Sequence, residues 1–161
     1  MTDRATGLEP DPATAERAVR SCAGLPGVQV LNRSFDQRPD GRWDAVTLVA
    51  ALHHLPLAPA LAELRGLLTP GGVLVVVGVA REDGGDRLRS MLSLLLNPVV
   101  GLLRHPRPAT AGSVPESMTA PVAEPHETFP EIAAAMRAAL PGVRLRRRLF
   151  WRYTAVWHAP R

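Results

Sequence analysis

The sequence predicts an α/β protein with a doubly wound, mostly parallel sheet that ends in an antiparallel strand pair. Up to residue 79, short apolar runs alternate with amphipathic helical patterns across polar or Pro/Gly turns. Such alternation is typical of parallel sheets with crossover helices. Residues 143–150 and 153–157 are two further strand-like runs that nearly touch. They must pair antiparallel, because a parallel crossover needs a dozen or more residues.

Length and composition fit a single domain over residues 1–161, with 46% hydrophobic and 21% charged residues. The net charge of +4 comes mostly from scattered arginines without aromatic interleaving, so we expect no nucleic-acid partner. Cys22 is the single cysteine, which leaves no disulfide within the chain and favours a cytoplasmic location. The longest apolar run, residues 91–103, is short and broken by Asn, Pro and Gly, so no membrane span is expected.

The first third of the chain reads as strand, helix, strand. Residues 5–9 resemble the tail of a strand that ends in the carboxylate of Glu9. A helix is predicted from Pro12 to about Cys22, with Asp11 as its cap. Its buried stripe is predicted from three residues at helical spacing: Ala15, Val19 and Cys22. Residues 28–31 then form a short alternating strand.

The stretch from Trp43 to Leu55 is the most informative segment. Its periodicity fits either a buried strand or a buried helix. The preceding Asp40-Gly41 turn signal and the β-branched residues favour a buried strand over residues 44–50. His53 and His54 follow it, where open α/β sheets bind their ligands. The alternative is that one histidine packs or caps while the other is solvated.

A helix and an apolar strand follow this stretch. The helix runs from residue 57 to Leu68, with one apolar face formed by Leu57, Leu61, Leu64 and Leu68. Thr69-Pro70-Gly71-Gly72 is predicted to turn the chain into a strand over residues 73–79. This strand has no polar alternation, so we expect it to be covered on both faces.

Residues 81–128 break the alternation and are predicted to be a helix-plus-loop insertion that acts as a lid. Its apolar helical segment, residues 86–103, is expected to cover a pocket or a protein partner. Thr128 and Glu131 form a capping box that opens a helix ending near Leu140. His126 is expected to be a loop residue, and Trp151 a packing aromatic.

In this order and spacing, the segments resemble the class I S-adenosylmethionine-dependent methyltransferases. The resemblance is carried by Leu8-Glu9-Pro10-Asp11, by Asp44-Ala45-Val46 followed by Leu52-His53-His54-Leu55, by Leu67 to Leu74, and by the final strand pair with its Arg-Tyr-Thr-x-x-Trp ending. It implies S-adenosylmethionine as the cofactor and methyl transfer to a small-molecule acceptor.

The resemblance also implies roles for individual residues. Glu9 would hold the ribose hydroxyls, Ser34 and Phe35 would lie in the adenine region, and the backbone of Ala50 and Ala51 would lie near the amino-acid end of the cofactor. His53 or His54 would orient or deprotonate the acceptor. No metal is implied: the two histidines are adjacent and would point apart on an extended chain. Ser34 stands where the family often has an acidic residue.

The family's first strand and its glycine-rich turn should precede Ala5. We therefore expect the chain to be an amino-terminally truncated product whose activity is complete only in a longer form. The alternative is a catalytically inactive methyltransferase-like domain that binds another protein chain. A nicotinamide-dependent oxidoreductase is a third possibility, but the sequence has no G-x-G-x-x-G fingerprint, and the antiparallel final pair argues against it.

Overall fold

The computed structural model of the chain describes residues 4–82, 124–148 and 152–161. These residues belong to two compact units: unit 1 contains residues 4–40, and unit 2 contains the rest. The predicted helix 86–103, most of the 81–128 insertion and Trp151 lie outside the described residues. The prediction of one domain over residues 1–161 stays a prediction.

Unit 1 is built from two parallel strands and the helix that connects them. Strand β1 spans Ala5–Leu8, helix α1 spans Pro12–Cys22, and strand β2 spans Val28–Leu31. The strands run parallel, with Leu8 opposite Leu31 at their carboxyl ends. A 3-10 turn over Phe35–Gln37 follows. All three regular elements lie where the sequence predicted them.

Helix α1 begins as predicted but buries less of its surface. Asp11 accepts a hydrogen bond from the backbone N–H of Thr14 at 2.8 Å, and Pro12 takes the first turn. Ala15 is buried, but Val19 is 50% exposed, so its predicted place in the buried stripe is wrong. The reason is physical: the two short strands of unit 1 offer a narrow surface for the helix to cover.

The described part of unit 2 holds the larger sheet and two helices. Its elements in chain order are β3 (Trp43–Val49), α2 (Leu57–Gly66), β4 (Leu68–Val79), α3 (Phe129–Ala139), β5 (Arg144–Arg147) and β6 (Arg152–His158). The strand order is β3-β4-β6-β5. Strands β3 and β4 pair parallel, and β6 pairs antiparallel with both β4 and β5, which confirms the predicted final strand pair.

The core of unit 2 lies on one face of this sheet. On β4 the alternate residues Leu74, Val76 and Gly78 are buried, and β6 contributes Tyr153 and Trp157 to the same face. Helices α2 and α3 contact each other and supply the opposing layer: Leu61, Leu64, Ile132, Met136 and Leu140, each at most 3% exposed. The indole N–H of Trp157 donates to the carbonyl of Pro141 at 2.9 Å, so its polar atom is satisfied.

Residues on the opposite face of the sheet are more exposed than two of the predictions state. Strand β3 was predicted to be buried, yet Val49 is 66% exposed and Leu48 is its one buried residue. On β4 the residues that alternate with the core, from Val73 to Val79, are half-buried, so the prediction of two covered faces is wrong for the described residues. The helices α2 and α3 bury the other face, and among the described residues β3 pairs with β4 alone.

The helix end before β4 differs slightly from expectation, whereas the start of α3 is as predicted. Helix α2 ends at Gly66, and β4 already begins at Leu68, so residues 69–72 belong to the strand rather than to a separate turn. The capping box of α3 is confirmed: the backbone N–H and the hydroxyl of Thr128 both donate to Oε2 of Glu131 at 2.7 Å. Over the described part of the chain, no helix has the length and apolar character needed to cross a membrane.

Candidate functional site

The site residues predicted after β3 lie in a tight turn at the carboxyl end of that strand. Ala50 has a φ of 49°, a left-handed conformation that alanine rarely adopts. Its backbone N–H donates to the carbonyl of Val77 on β4 at 2.7 Å, which holds the strained residue in place. A 3-10 turn over Leu52–His54 follows directly. Strained backbone of this kind concentrates at functional sites, so the geometry singles out the same segment as the sequence.

The two histidines do not point apart, which corrects the prediction. Their ring centroids lie 4.0 Å apart with 37° between the planes. The reason is that the 3-10 turn brings neighbouring side chains together, whereas an extended chain would send them to opposite faces. His53 is half-buried with its Nδ1 atom buried, and His54 is exposed. His53 is therefore the better placed of the two to act inside a site.

A depression in unit 2 lies beside this turn. Its apolar walls are Leu52, Leu57, Val79 and Ile132. Three polar side chains also line it: His53, Glu127 and Tyr153. His53 follows β3, and Val79 ends β4, so the depression lies at the carboxyl ends of these parallel strands, as expected for an α/β sheet.

Tyr153 closes the floor of this depression against the sheet. It is 1% exposed, and it lies opposite Gly78 in the pairing of β6 with β4. A Cβ atom at Gly78 would overlap the Tyr153 ring, so the ring requires a glycine at this position. Burial, and to a lesser degree the negative charge of Glu127, raise the pKa of Tyr153 to about 12. The phenol is thus neutral at physiological pH and can donate a hydrogen bond.

A backbone hydrogen bond holds Glu127 at the edge of the sheet. The N–H of Arg81, just after β4, donates to the carbonyl of Glu127 at 2.8 Å. Arg81 and Thr128 form a parallel bridge, and Thr128 caps α3. Sequence reasoning missed both Glu127 and Tyr153 as site residues. One available signal was Gly78, an isolated glycine inside a strand, which often marks the close approach of another group.

The remaining predicted residues lie in unit 1. Glu9 directly follows β1, is half-buried, and accepts a hydrogen bond at Oε1 from the backbone N–H of Asp11 at 3.0 Å. The side chain of Asn32, which follows β2, donates to the carbonyl of Glu9 at 2.9 Å. Glu9 therefore lies at the carboxyl ends of both parallel strands. A carboxylate has lone pairs for several donors, so the bond to Asp11 leaves Glu9 compatible with a ribose diol.

Ser34 and Phe35 lie further along the same unit, at the start of a 3-10 turn. A hydrogen bond from the Ser34 side chain is the main reason that the pKa of Asp36 lies below its usual range. The guanidinium carbon of Arg38 lies 4.6 Å from the centroid of the Phe35 ring. This ring is half-buried and already carries a cation on one face.

Among the described residues, no three His, Cys, Asp or Glu side chains cluster in a way that could hold a metal ion.

Comparison with known proteins agrees with this architecture. A family model described as a methyltransferase domain matches residues 1–76. Uncharacterized methyltransferases of Mycobacterium bovis and Mycobacterium tuberculosis are each 35% identical over 127 residues, which is 76% of this chain. The chain spans 58% of the length of these relatives.

Solved structures of low sequence identity share the fold. The N-methyltransferase NodS of Bradyrhizobium japonicum matches with a TM-score of 0.57 and 15% identity, over 98% of this chain and 74% of its own. Human N-acetylserotonin methyltransferase matches with a TM-score of 0.59 and 13% identity, over 98% of this chain and 41% of its own. In fold and in sequence, the chain is thus similar to S-adenosylmethionine-dependent methyltransferases of the class I type.

Proposed function

We propose that this chain takes part in S-adenosylmethionine-dependent methyl transfer to a small-molecule acceptor. The observation that carries the proposal is the turn after β3. A left-handed Ala50 leads into a turn that carries His53 at the carboxyl end of a parallel strand. This is where α/β sheets bind their ligands. The similarity to methyltransferases supports the choice of methyl transfer as the chemistry.

The bound cofactor would supply a methyl group already activated on a sulfonium, so the protein's task is mainly to orient the acceptor. Glu9 would accept hydrogen bonds from the ribose hydroxyls, with its backbone fixed by Asn32. Ser34 and Phe35 would contact the adenine region. The backbone of Ala50 and Ala51 would lie near the amino-acid end.

His53 would remove a proton from the acceptor, and His54 would hold the His53 ring in position through the contact between the two rings. An imidazole suits this role because histidine is the side chain that exchanges a proton near neutral pH. Tyr153 and the apolar walls of the depression would exclude water from the reacting groups. We place this chemistry in the cytoplasm, in keeping with the lone Cys22.

Two pairs of variants of the protein isolated from its own host test this proposal. Glu9→Gln should weaken S-adenosylhomocysteine binding in calorimetry by roughly tenfold, because it removes a charged acceptor. Glu16→Gln, an exposed position on α1, should leave binding unchanged. His53→Asn should lower kcat roughly a hundredfold with unchanged cofactor affinity, whereas exposed His126→Asn should not. Equal effects within either pair would contradict the assigned roles.

A second candidate is a catalytically inactive methyltransferase-like domain that binds another chain. The observation that favours it is the exposed face of β3, on which Val49 is 66% exposed. Among the described residues β3 pairs with β4 alone, and an unpaired strand edge can pair with another chain. Calorimetry separates the candidates, since the wild-type protein would then bind no S-adenosylhomocysteine.

A further inference from the structure

The charges of the chain are distributed very unevenly along its sequence. Residues 132–161 contain seven arginines and no aspartate or glutamate, whereas residues 1–131 contain 12 arginines and 15 acidic residues. The net positive charge therefore comes entirely from the segment that includes β5 and β6. An asymmetry of this size favours association with an anionic partner.

Strand pairing gathers four of these arginines into one row, which we call the arginine row: Arg144, Arg146, Arg148 and Arg152. The first three occupy alternate positions along β5 and the residue after it, so their side chains leave the same face of the sheet. The backbone N–H of Arg148 donates to the carbonyl of Arg152 at 2.8 Å, which places these two residues opposite each other. All four are exposed, and none forms a salt bridge within the described part of the chain.

Two like charges face each other in the arginine row. Like charges directly opposite on neighbouring strands repel, so Arg148 and Arg152 destabilise the strand pair. Charged side chains on an edge strand discourage aggregation, but that purpose does not require two arginines face to face. A local cost without a local compensation is typical of functional sites, and a bound anionic group would compensate it here.

Part of the backbone of β5 points towards the outer edge of the sheet. In the strand order β3-β4-β6-β5 this strand comes last, and among the described residues it pairs with β6 alone. Backbone groups alternate in direction along a strand, so with Arg148 bonded to β6, the N–H and C=O of Leu145 point away from β6. An extended segment along this edge would bond to Leu145 and bring its alternate side chains level with the arginines.

We propose that the outer edge of β5 binds an extended segment of another protein that carries Asp or Glu at alternate positions. The added strand would place these carboxylates beside the arginine row, in charge-assisted hydrogen bonds. A second copy of β5 would instead bring arginine against arginine, so the occupant is a different, acidic segment.

The surroundings of the arginine row favour a protein over a nucleic acid. Across from Arg144 and Arg146, the side chains of β6 on the same face are Val156 and Thr154. Among the described residues, the row thus lacks neighbouring aromatic rings on this face, on which the bases of single-stranded nucleic acids stack.

Two synthetic peptides of identical composition test this proposal with the whole protein. One alternates its acidic residues, Thr-Glu-Val-Glu-Val-Glu-Thr, and the other groups them, Glu-Glu-Glu-Thr-Val-Val-Thr. In fluorescence anisotropy the alternating peptide should bind at least about fivefold more tightly, since it alone can place a carboxylate beside each arginine of β5. It should also slow amide exchange at Leu145 about tenfold in NMR, because that N–H gains a partner.

Variants of the protein locate the binding. Arg146→Glu reverses the central charge of the row and should weaken binding of the alternating peptide at least about tenfold. Arg42→Glu makes the same charge change at an exposed position just before β3, at the other edge of the sheet. It should leave the affinity within about twofold, because salt screens a distant exposed charge. A peptide with arginine in place of its central glutamate should restore binding to Arg146→Glu, which also shows that this variant is folded.

Equal affinity for the two peptides, an unchanged exchange rate at Leu145, or full binding by Arg146→Glu would each overturn the proposal. An oligothymidylate of equal charge provides a further comparison. If it binds more tightly than the alternating peptide and Arg146→Glu abolishes that binding, the row recognises nucleic acid and the proposal is wrong. None of these measurements uses the cofactor, so their outcome is independent of the proposed methyl transfer.

Discussion

The two compact units of the chain bury their apolar side chains to very different extents. In unit 2, Leu61, Leu64, Val76 and Met136 are completely buried between a four-stranded sheet and two helices. In the described part of unit 1, Ala15 is the one buried residue, and Val19, Leu25 and Val28 are at least 36% exposed. Two strands with one helix cannot enclose a core, whereas four strands with two helices can.

This difference in burial shows that the local signals that form a helix are distinct from the packing that stabilises it. Helix α1 and helix α3 are both well capped, by Asp11 and by the Thr128 capping box. Caps and propensities define where each helix begins, but most helix stability in proteins comes from packing of the apolar face. We therefore expect unit 2 to carry most of the folding free energy, and unit 1 to respond mainly to changes in local interactions.

The largest expected effect is on the free energy of unfolding, and it compares a buried position on α2 with an exposed position on α1. Leu64→Ala on α2 should lower the free energy of unfolding by about 2–5 kcal/mol, because it opens a cavity in a fully buried site. Val19→Ala on α1 should change it by about 0.5 kcal/mol or less, since this side chain is half exposed. Urea denaturation followed by far-ultraviolet circular dichroism measures both, and similar losses would contradict the comparison.

A second effect is expected in alkaline solution and concerns unit 2. The pKa of Tyr153 is raised to about 12, so its neutral form stabilises the folded state fully below the ordinary pKa near 10. This contribution, at most about 3 kcal/mol, should be lost as the pH rises from 10 to 12. Tyr153→Phe cannot ionise and should lack this step in thermal melts across that range. An equal pH dependence in both proteins would show that another group is responsible.

The smallest effect tests unit 1 by itself. Hydrogen bonds with Thr14 lower the pKa of Asp11, so the cap should be intact above the usual aspartate range and lost as the pH falls through the lowered value. Asp11→Ala should remove the cap at every pH and speed the labelling of Cys22, at the far end of α1, roughly fivefold at pH 8.

Asp40→Ala, an exposed change outside the helix, should not alter this labelling. Circular dichroism from pH 5 to 2 should show an α1 step in the wild type that Asp11→Ala lacks. Unchanged thiol reactivity in Asp11→Ala would mean that tertiary contacts, rather than the cap, hold the helix.

The sequence predicted the secondary structure of the described residues closely because each element carries its own local signals. The Asp11-Pro12 start, the Thr128 and Glu131 capping box and the β-branched run after Trp43 all act over a few residues. Burial was predicted less well. Val19 and Val49 are apolar and fit buried patterns, but exposure depends on what covers them, which no local pattern reports.

At the candidate site, too, the sequence predicts some features and not others. The position of the turn after β3 follows closely from the sequence, because the β-branched residues that favour a strand end at Val49 and the polar pair His53-His54 comes soon after. The left-handed Ala50 and the contact between the two imidazoles do not follow from it, because they arise from the bond to Val77 and from the 3-10 turn.

By itself, therefore, the sequence determined the order of strands and helices, their direction, and the resemblance to methyltransferases, since these depend on patterns within short segments. Tertiary structure alone decided which sheet face is buried and which side chains meet. Glu127 lies beside Tyr153 because α3 and β6 return to the end of β4, and Tyr153 rests on Gly78 because the β4–β6 register places them opposite each other. Contacts between residues far apart in the chain form through packing and strand pairing, and no local signal encodes them.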